Sequence, residues 1–160
     1  MARILRSPAG IDDAAARQAL AGAGVQVLQA LDPQGSVEAS VLEMVLQPDA
    51  RFVREEMTAE PPPLGQEDLD MGAWHVNSVD EVHSVLDGRG IMEFVTQAGE
   101  ISLLVEGGDV LVIQQAEHRY RPVEPQRWAV RWAGGHDTTL EATQTGRPSQ
   151  PWPSVPSVPS

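Results

Sequence analysis

The chain contains no cysteine. Disulfides, thiolate metal ligands and a cysteine nucleophile are therefore excluded, and any metal would have to be held by imidazole and carboxylate groups. No run of about 18 apolar residues is present, so no transmembrane helix is expected. The opening residues, Met1-Ala2-Arg3-Ile4-Leu5-Arg6, reach Pro8 and Gly10 before any apolar leader core could form. They do not read as a signal peptide, and a cytoplasmic protein is the expectation. Positive charge is scarce: 11 basic residues face 23 acidic ones, for a net charge of −12. Such a surface repels phosphate backbones, and no basic stripe with interleaved aromatics offsets it, which argues against nucleic acid as a partner. A small-molecule substrate is the expected partner, with local arginines able to receive an anionic group inside a pocket. Monomer and homodimer both remain open.

Turn-formers are plentiful, with 13 prolines and 14 glycines in 160 residues. That length corresponds to about one domain. Residues 12–24 read as a helix, with Asp12 as the cap and Gly22 and Gly24 as the stop signal. Val25-Gln26-Val27-Leu28 alternates as a short strand. Ser36 is placed to cap a second helix over residues 37–46 ended by Pro48, although Val41-Leu42-Glu43-Met44-Val45-Leu46 also fits a buried strand. Residues 49–57 are read as one or two further helical turns, and Pro61-Pro62-Pro63-Leu64-Gly65 as a loop.

From residue 71 the character changes. Short apolar runs recur at 72–77, 81–86, 91–97, 100–105, 109–114, 118–123 and 127–133, separated by turn signals such as Asp87-Gly88-Arg89-Gly90, Ala98-Gly99 and Gly107-Gly108-Asp109. This spacing predicts an all-β sandwich or barrel. The expected organisation is one domain over residues 1–142, with a helical part at 12–57 and a barrel core at 71–133. The Pro/Ser-rich residues 143–160 cannot form a core and are expected to be extended or disordered, docking onto the domain being the alternative.

The chemistry concentrates in Trp74-His75-Val76-Asn77-Ser78-Val79-Asp80-Glu81-Val82-His83. Side chains alternate across a strand, so His75 and Asn77 share a face, as do Glu81 and His83. A turn at Ser78-Val79 would bring both pairs to one interior. His118 ends a later segment that runs from Gly107-Gly108-Asp109 through Val110-Leu111-Val112-Ile113 and a polar bend. Two imidazoles and a carboxylate converging in a barrel make a facial triad suited to non-heme Fe(II).

The block His75-x-Asn77-x3-Glu81-x6-Gly88 resembles the first cupin motif, usually His-x-His followed by Glu and Gly. Gly108-Asp109 through His118 resembles the second, which normally ends in Pro-x-Gly-x-x-His. Asp80-Glu81-Val82, Asp87-Gly88-Arg89-Gly90 and Ala129-Val130-Arg131-Trp132 look in particular like the acireductone dioxygenase family. The resemblance spans residues 3 to about 142 and is clearest from 74 to 133.

It implies an all-β fold, the cupin double-stranded β-helix (jelly-roll) barrel with N-terminal helices, holding one divalent metal: Fe(II), or alternatively Ni(II) or Mn(II). The family's ligands are three histidines and a glutamate. His75, Glu81 and His118 match ligand positions, and Asn77 stands where the second histidine belongs, as a weak or water-mediated ligand or as filler. Gln114 and Ala116 replace the proline and glycine of the second motif. His83 occupies the position of a substrate-holding arginine, and is read as a replacement ligand, a general base, a substrate contact or a packing residue. Arg131 is a candidate for a substrate carboxylate or enolate, or for a structural ion pair. Trp74 and Trp132 are assigned to the pocket wall, Trp128 to core or wall, and His136 to a surface turn.

Three functions follow as expectations. The first is a metal-dependent dioxygenase of the acireductone type, acting on an enediolate bound to the metal; in the family, Fe(II) yields a 2-keto acid and formate, and Ni(II) yields carbon monoxide. The second is a divergent cupin that oxidises, cyclises or isomerises a related enol or β-dicarbonyl. The third is a metal-free small-molecule-binding cupin.

Overall fold

Asp12 starts the first helix as expected. Its carboxylate accepts the Ala15 N–H at 2.8 Å, which satisfies one of the amides that a helix start leaves open. The computed structural model describes residues 1–45, 51–134 and 140–157. In chain order its elements are β1 (Arg3–Arg6), α1 (Asp13–Gly22), β2 (Val25–Gln29), α2 (Ala39–Val45) and β3 (Arg51–Ala59). A 3-10 turn (Asp70–Gly72) then leads into β4 (His75–Asn77), β5 (Glu81–Asp87), β6 (Arg89–Thr96), β7 (Gly99–Glu106) and β8 (Asp109–Ile113). The last strands are β9 (His118–Pro122), β10 (Gln126–Gly134) and β11 (Ala142–Gln144). Helix α1 buries Ala16 and Leu20 and stops at Gly24. There φ is +89°, and an added Cβ would lie 3.0 Å from the Gln114 carbonyl oxygen, so glycine suits both backbone and space.

The strands form two antiparallel sheets. One has the order β1-β7-β6-β9-β4-β11 and the other β2-β8-β5-β10-β3. Alternation sends Met92, Phe94, Ile101, Leu103, Val105, Leu111, Ile113, Trp128 and Val130 into one shared core between them. The β5–β6 turn depends on Gly88. Its φ is +81°, and a Cβ would meet the Pro125 carbonyl oxygen at 2.1 Å. The predicted all-β barrel with N-terminal helices is therefore the architecture found, and each of the seven short apolar runs holds a strand.

Two expectations need correction. Residues 51–59 are a strand, not helical turns: β3 pairs along β10 from Arg51↔Gly134 to Gln126↔Ala59. It is an edge strand whose Arg54, Glu55 and Glu56 face solvent, and this polarity gives it the look of a surface helix. The second helix begins at Ala39 rather than near Ser36. The Ser36 N–H instead donates to Asp32 Oδ1 in the preceding turn. Val41 and Val45 pack with Val82, Val110 and Val112, so α2 covers the outer face of the five-stranded sheet. The expected stops at Pro48 and the turn at His136 lie outside the described residues.

The Pro/Ser-rich segment lies along the outer face of the six-stranded sheet, over a buried ion pair. Glu93 and Arg119 are register partners on β6 and β9, 1% and 0% exposed. The guanidinium reaches the carboxylate at 2.5 Å, donates to the Gln150 carbonyl at 2.7 Å and pairs with Asp68 at 3.2 Å. The Trp152 ring lies 3.8 Å from it and donates through Nε1 to Asp68 at 2.9 Å. Arg6 adds a bond to Glu93 at 2.8 Å and one to the Pro151 carbonyl at 2.8 Å. Proline-rich chain cannot extend a sheet, but its carbonyls can accept from arginine.

Candidate metal and substrate site

His75 and His118 are direct cross-strand partners on β4 and β9, with ring centroids 4.4 Å apart. Each Nδ1 lies 2.8 Å from the carbonyl oxygen two residues upstream, Ala73 for His75 and Ala116 for His118. A carbonyl only accepts, so Nδ1 carries the proton in both rings and Nε2 keeps a free lone pair. Just upstream of His118 the chain bends through Gln115 at φ +56°, the left-handed region, and the Gln115 amide ties the bend to Asp80 at 3.1 Å. Burial, with His75 alongside, pushes the His118 pKa down to about 4 against the pull of Glu81. His118 is therefore neutral at pH 7.

Residues 78–80 carry the chain from one sheet to the other, placing Glu81 and His83 on β5 opposite the two histidines. Glu81 is fully buried. Burial acts to raise its pKa, but His83, His118 and the Asn77 amide together outweigh burial and hold the group below its ordinary value. Asn77 Nδ2 donates to Oε1 at 2.5 Å. Oε2 lies 2.8 Å from His83 Nε2, without the alignment of a hydrogen bond. Both of those atoms are buried and otherwise without a partner. The His83 ring stands edge-on to Trp128, 5.3 Å between centroids at 89°. Trp128 Nε1 in turn donates to the Tyr120 hydroxyl at 2.9 Å, and that hydroxyl donates to Gln126 Oε1.

This polar cluster forms the floor of a cavity of about 180 Å³ whose walls are mostly apolar: Met57, Met71, Met92, Tyr120, Trp128, Val130, Leu140 and Ala142. His75, Asn77, Glu81, His83 and His118 are thus brought together as the sequence predicts. The other three candidates are not. Arg131 alternates with Val130 onto the opposite face of β10, where it donates to the Gly35 carbonyl and Ser84 Oγ, both at 3.2 Å. Trp74 is buried on the far side of β4 from His75, 5.3 Å from the Arg119 guanidinium. Trp132 joins the core without lining the cavity. Trp128 and Tyr120 form the aromatic wall instead. Tyr120 was legible as the residue two beyond His118 on the same strand face. The methionines carried no local signal.

One pH dependence follows. A histidine whose folded pKa is depressed binds its proton more readily when unfolded, so stability is lost as pH falls between the two values. For His118 that window runs from its ordinary 6.5 down to about 4. In EDTA, urea midpoints should fall across this window and fall less for His118→Gln. An equal decline in both proteins would assign the acid sensitivity elsewhere.

No protein-family profile matches the chain, and no characterised protein matches it significantly in sequence. Solved structures do match. An acireductone dioxygenase from Bacillus anthracis, determined with a cadmium ion in its active centre, is 16% identical. The match covers 85% of this chain and 93% of that one, with a TM-score of 0.54. An oxalate decarboxylase of Bacillus subtilis is 14% identical over 75% of this chain and 27% of that one, with a TM-score of 0.44. The fold is the cupin-type β-barrel. Among the described residues no helix is long and apolar enough to cross a membrane.

Proposed function

We propose that this barrel is a metal-dependent enzyme acting on an enediol- or enolate-like small molecule with an apolar body, with the acireductone dioxygenase reaction as the leading candidate. The observation that carries this reading is the unpartnered contact between Glu81 Oε2 and His83 Nε2, buried beneath an apolar cavity beside two free imidazole lone pairs. Buried polar atoms are rarely left unpaired, and a divalent cation would give all of them a common partner. Imidazole and carboxylate together suit Fe(II), Ni(II) or Mn(II). As placed, no three of these groups surround one point among the described residues, so loading requires the side chains at the cavity floor to shift toward a common point.

His75, His118 and Glu81 would hold the ion, which when bound supplies Lewis acidity and, for iron, the capacity to engage oxygen. The remaining work belongs to the chain. The backbone carbonyls of Ala73 and Ala116 fix the two ring orientations, as outer partners of metal-bound histidines do. The methionine, tryptophan and leucine walls exclude water and receive an apolar body. Among the described residues no lysine or arginine lines the cavity, so charge on the substrate would be met by the metal. Burial raises the Tyr120 pKa, keeping the hydroxyl protonated as a donor at the wall.

Elemental analysis of the protein as purified, followed by oxygen uptake with acireductone, tests the proposal. Near-stoichiometric iron, nickel or manganese with acireductone turnover supports it in full. Metal without turnover redirects it to a related enol or β-dicarbonyl. The Asn77–Glu81 hydrogen bond favours a second reading, a metal-free binding barrel in which the amide takes the place of a cation. Protein that neither contains metal nor takes up Fe(II) or Ni(II) would establish that reading instead.

A further inference from the structure

We propose that His83 is the third imidazole ligand of the metal centre, and that Asn77 stays outside the coordination shell as a hydrogen-bond donor to Glu81. The inference rests on the metal-dependent reading above and assigns a ligand that the cupin motif does not place there.

The first argument concerns Asn77. An ionised carboxylate only accepts, so the amide group that approaches Glu81 Oε1 at 2.5 Å must be the NH2 end. An amide nitrogen is no metal ligand. Asn77 thus spends its donor on orienting Glu81, as outer-shell partners of metal-bound carboxylates do.

The second concerns His83. Donor atoms bound at right angles about 2.1 Å from one ion lie about 3 Å apart. His83 Nε2 and Glu81 Oε2 are 2.8 Å apart. A hydrogen bond would give a similar distance, but these atoms are misaligned for one and have no other partner. Two potential ligand atoms at that spacing, both buried and on residues that line the same cavity, match neighbouring ligands of a shared ion. His83 also has the mechanical support that ligands have. Its ring packs edge-on against Trp128, which is anchored through Tyr120 to Gln126. From β5 it faces His75 and His118 across the barrel, so three imidazoles and one carboxylate line the same cavity. The ligand number of a three-histidine, one-glutamate site is kept, with one imidazole moved from β4 to β5.

The test combines affinity with a nitrogen count. Ni(II) is titrated by calorimetry into the full chain, His83→Ala and Asn77→Ala, and pulsed electron paramagnetic resonance on protein loaded with one equivalent of Cu(II) counts coupled imidazoles. Losing an outer partner costs about 10–100-fold in metal affinity. Asn77→Ala should fall within that range and His83→Ala beyond it. The unaltered protein should show three coupled imidazoles, as should Asn77→Ala, with two in His83→Ala. The count on the unaltered protein needs no variant, so a misfolded His83→Ala would not blunt the test. Tight Ni(II) binding with only two imidazoles would overturn the assignment of His83 while sparing the metal reading. No binding by the unaltered protein would overturn both.

Discussion

Glu81→Gln is expected to lower divalent-metal affinity by more than about 100-fold, beyond the loss typical of an outer-shell partner, and also to destabilise the metal-free fold at neutral pH, because the depressed carboxyl pKa means that the charge is favoured in the folded protein. The two halves of this result have one cause. Glu81 is a fully buried carboxylate whose neighbours are imidazoles and an amide rather than a lysine or arginine. Burying such a charge is costly, but His83, His118 and the Asn77 amide together outweigh that cost in the folded protein. Glutamine keeps the volume and a carbonyl oxygen but discards the charge. Calorimetric titration with Ni(II) and thermal melts in EDTA check both halves. Undiminished affinity would remove Glu81 from the ligand set; an unchanged or raised EDTA melting temperature would show that its burial outweighs its partners.

Arg119→Ala is expected to destabilise the fold by about 3–5 kcal/mol, the range for removing one partner of a buried ion pair. Glu93 would keep Arg6 and the Ser102 hydroxyl, which places the loss toward the lower end. The substitution also frees the Gln150 carbonyl and removes the cation beneath Trp152, so Trp152 fluorescence should move to the red before global unfolding. Replacing both Glu93 and Arg119 by leucine should recover much of the stability, because neither charge is then stranded. Urea denaturation of the three proteins decides. A double variant no more stable than Arg119→Ala would show that packing, rather than the stranded charge, dominates.

How much could be read beforehand depended on whether the relevant spacing was local. His75, Asn77, Glu81 and His83 lie within nine residues, and alternation together with one turn suffices to bring them to a common interior. Arg131 and Trp132 were both assigned to the pocket, yet neighbours on a strand face opposite ways. The inward set is Trp128, Val130 and Trp132, which leaves Arg131 outside. The edge strand β3 was hidden because its outer face is charged, and charge without apolar periodicity reads as a surface helix. The Glu93–Arg119 pair was not legible at all, since its partners meet only through the register of β6 with β9. The same holds for the segment that covers the pair.

β4 is three residues long. On one side it meets β9 through the single register pair His75↔His118, and on the other it pairs with β11 from Ala142↔Asn77 to Gln144↔His75. The strand that presents His75 is therefore zipped mainly to residues about seventy positions later. During synthesis the rest of the six-stranded sheet can assemble while β4 still lacks its outer neighbour, since contacts this distant in sequence form late. Maturation of the site is thereby tied to the arrival of residues 142–144: a nascent chain would hold its histidines only loosely until those residues have emerged and been captured.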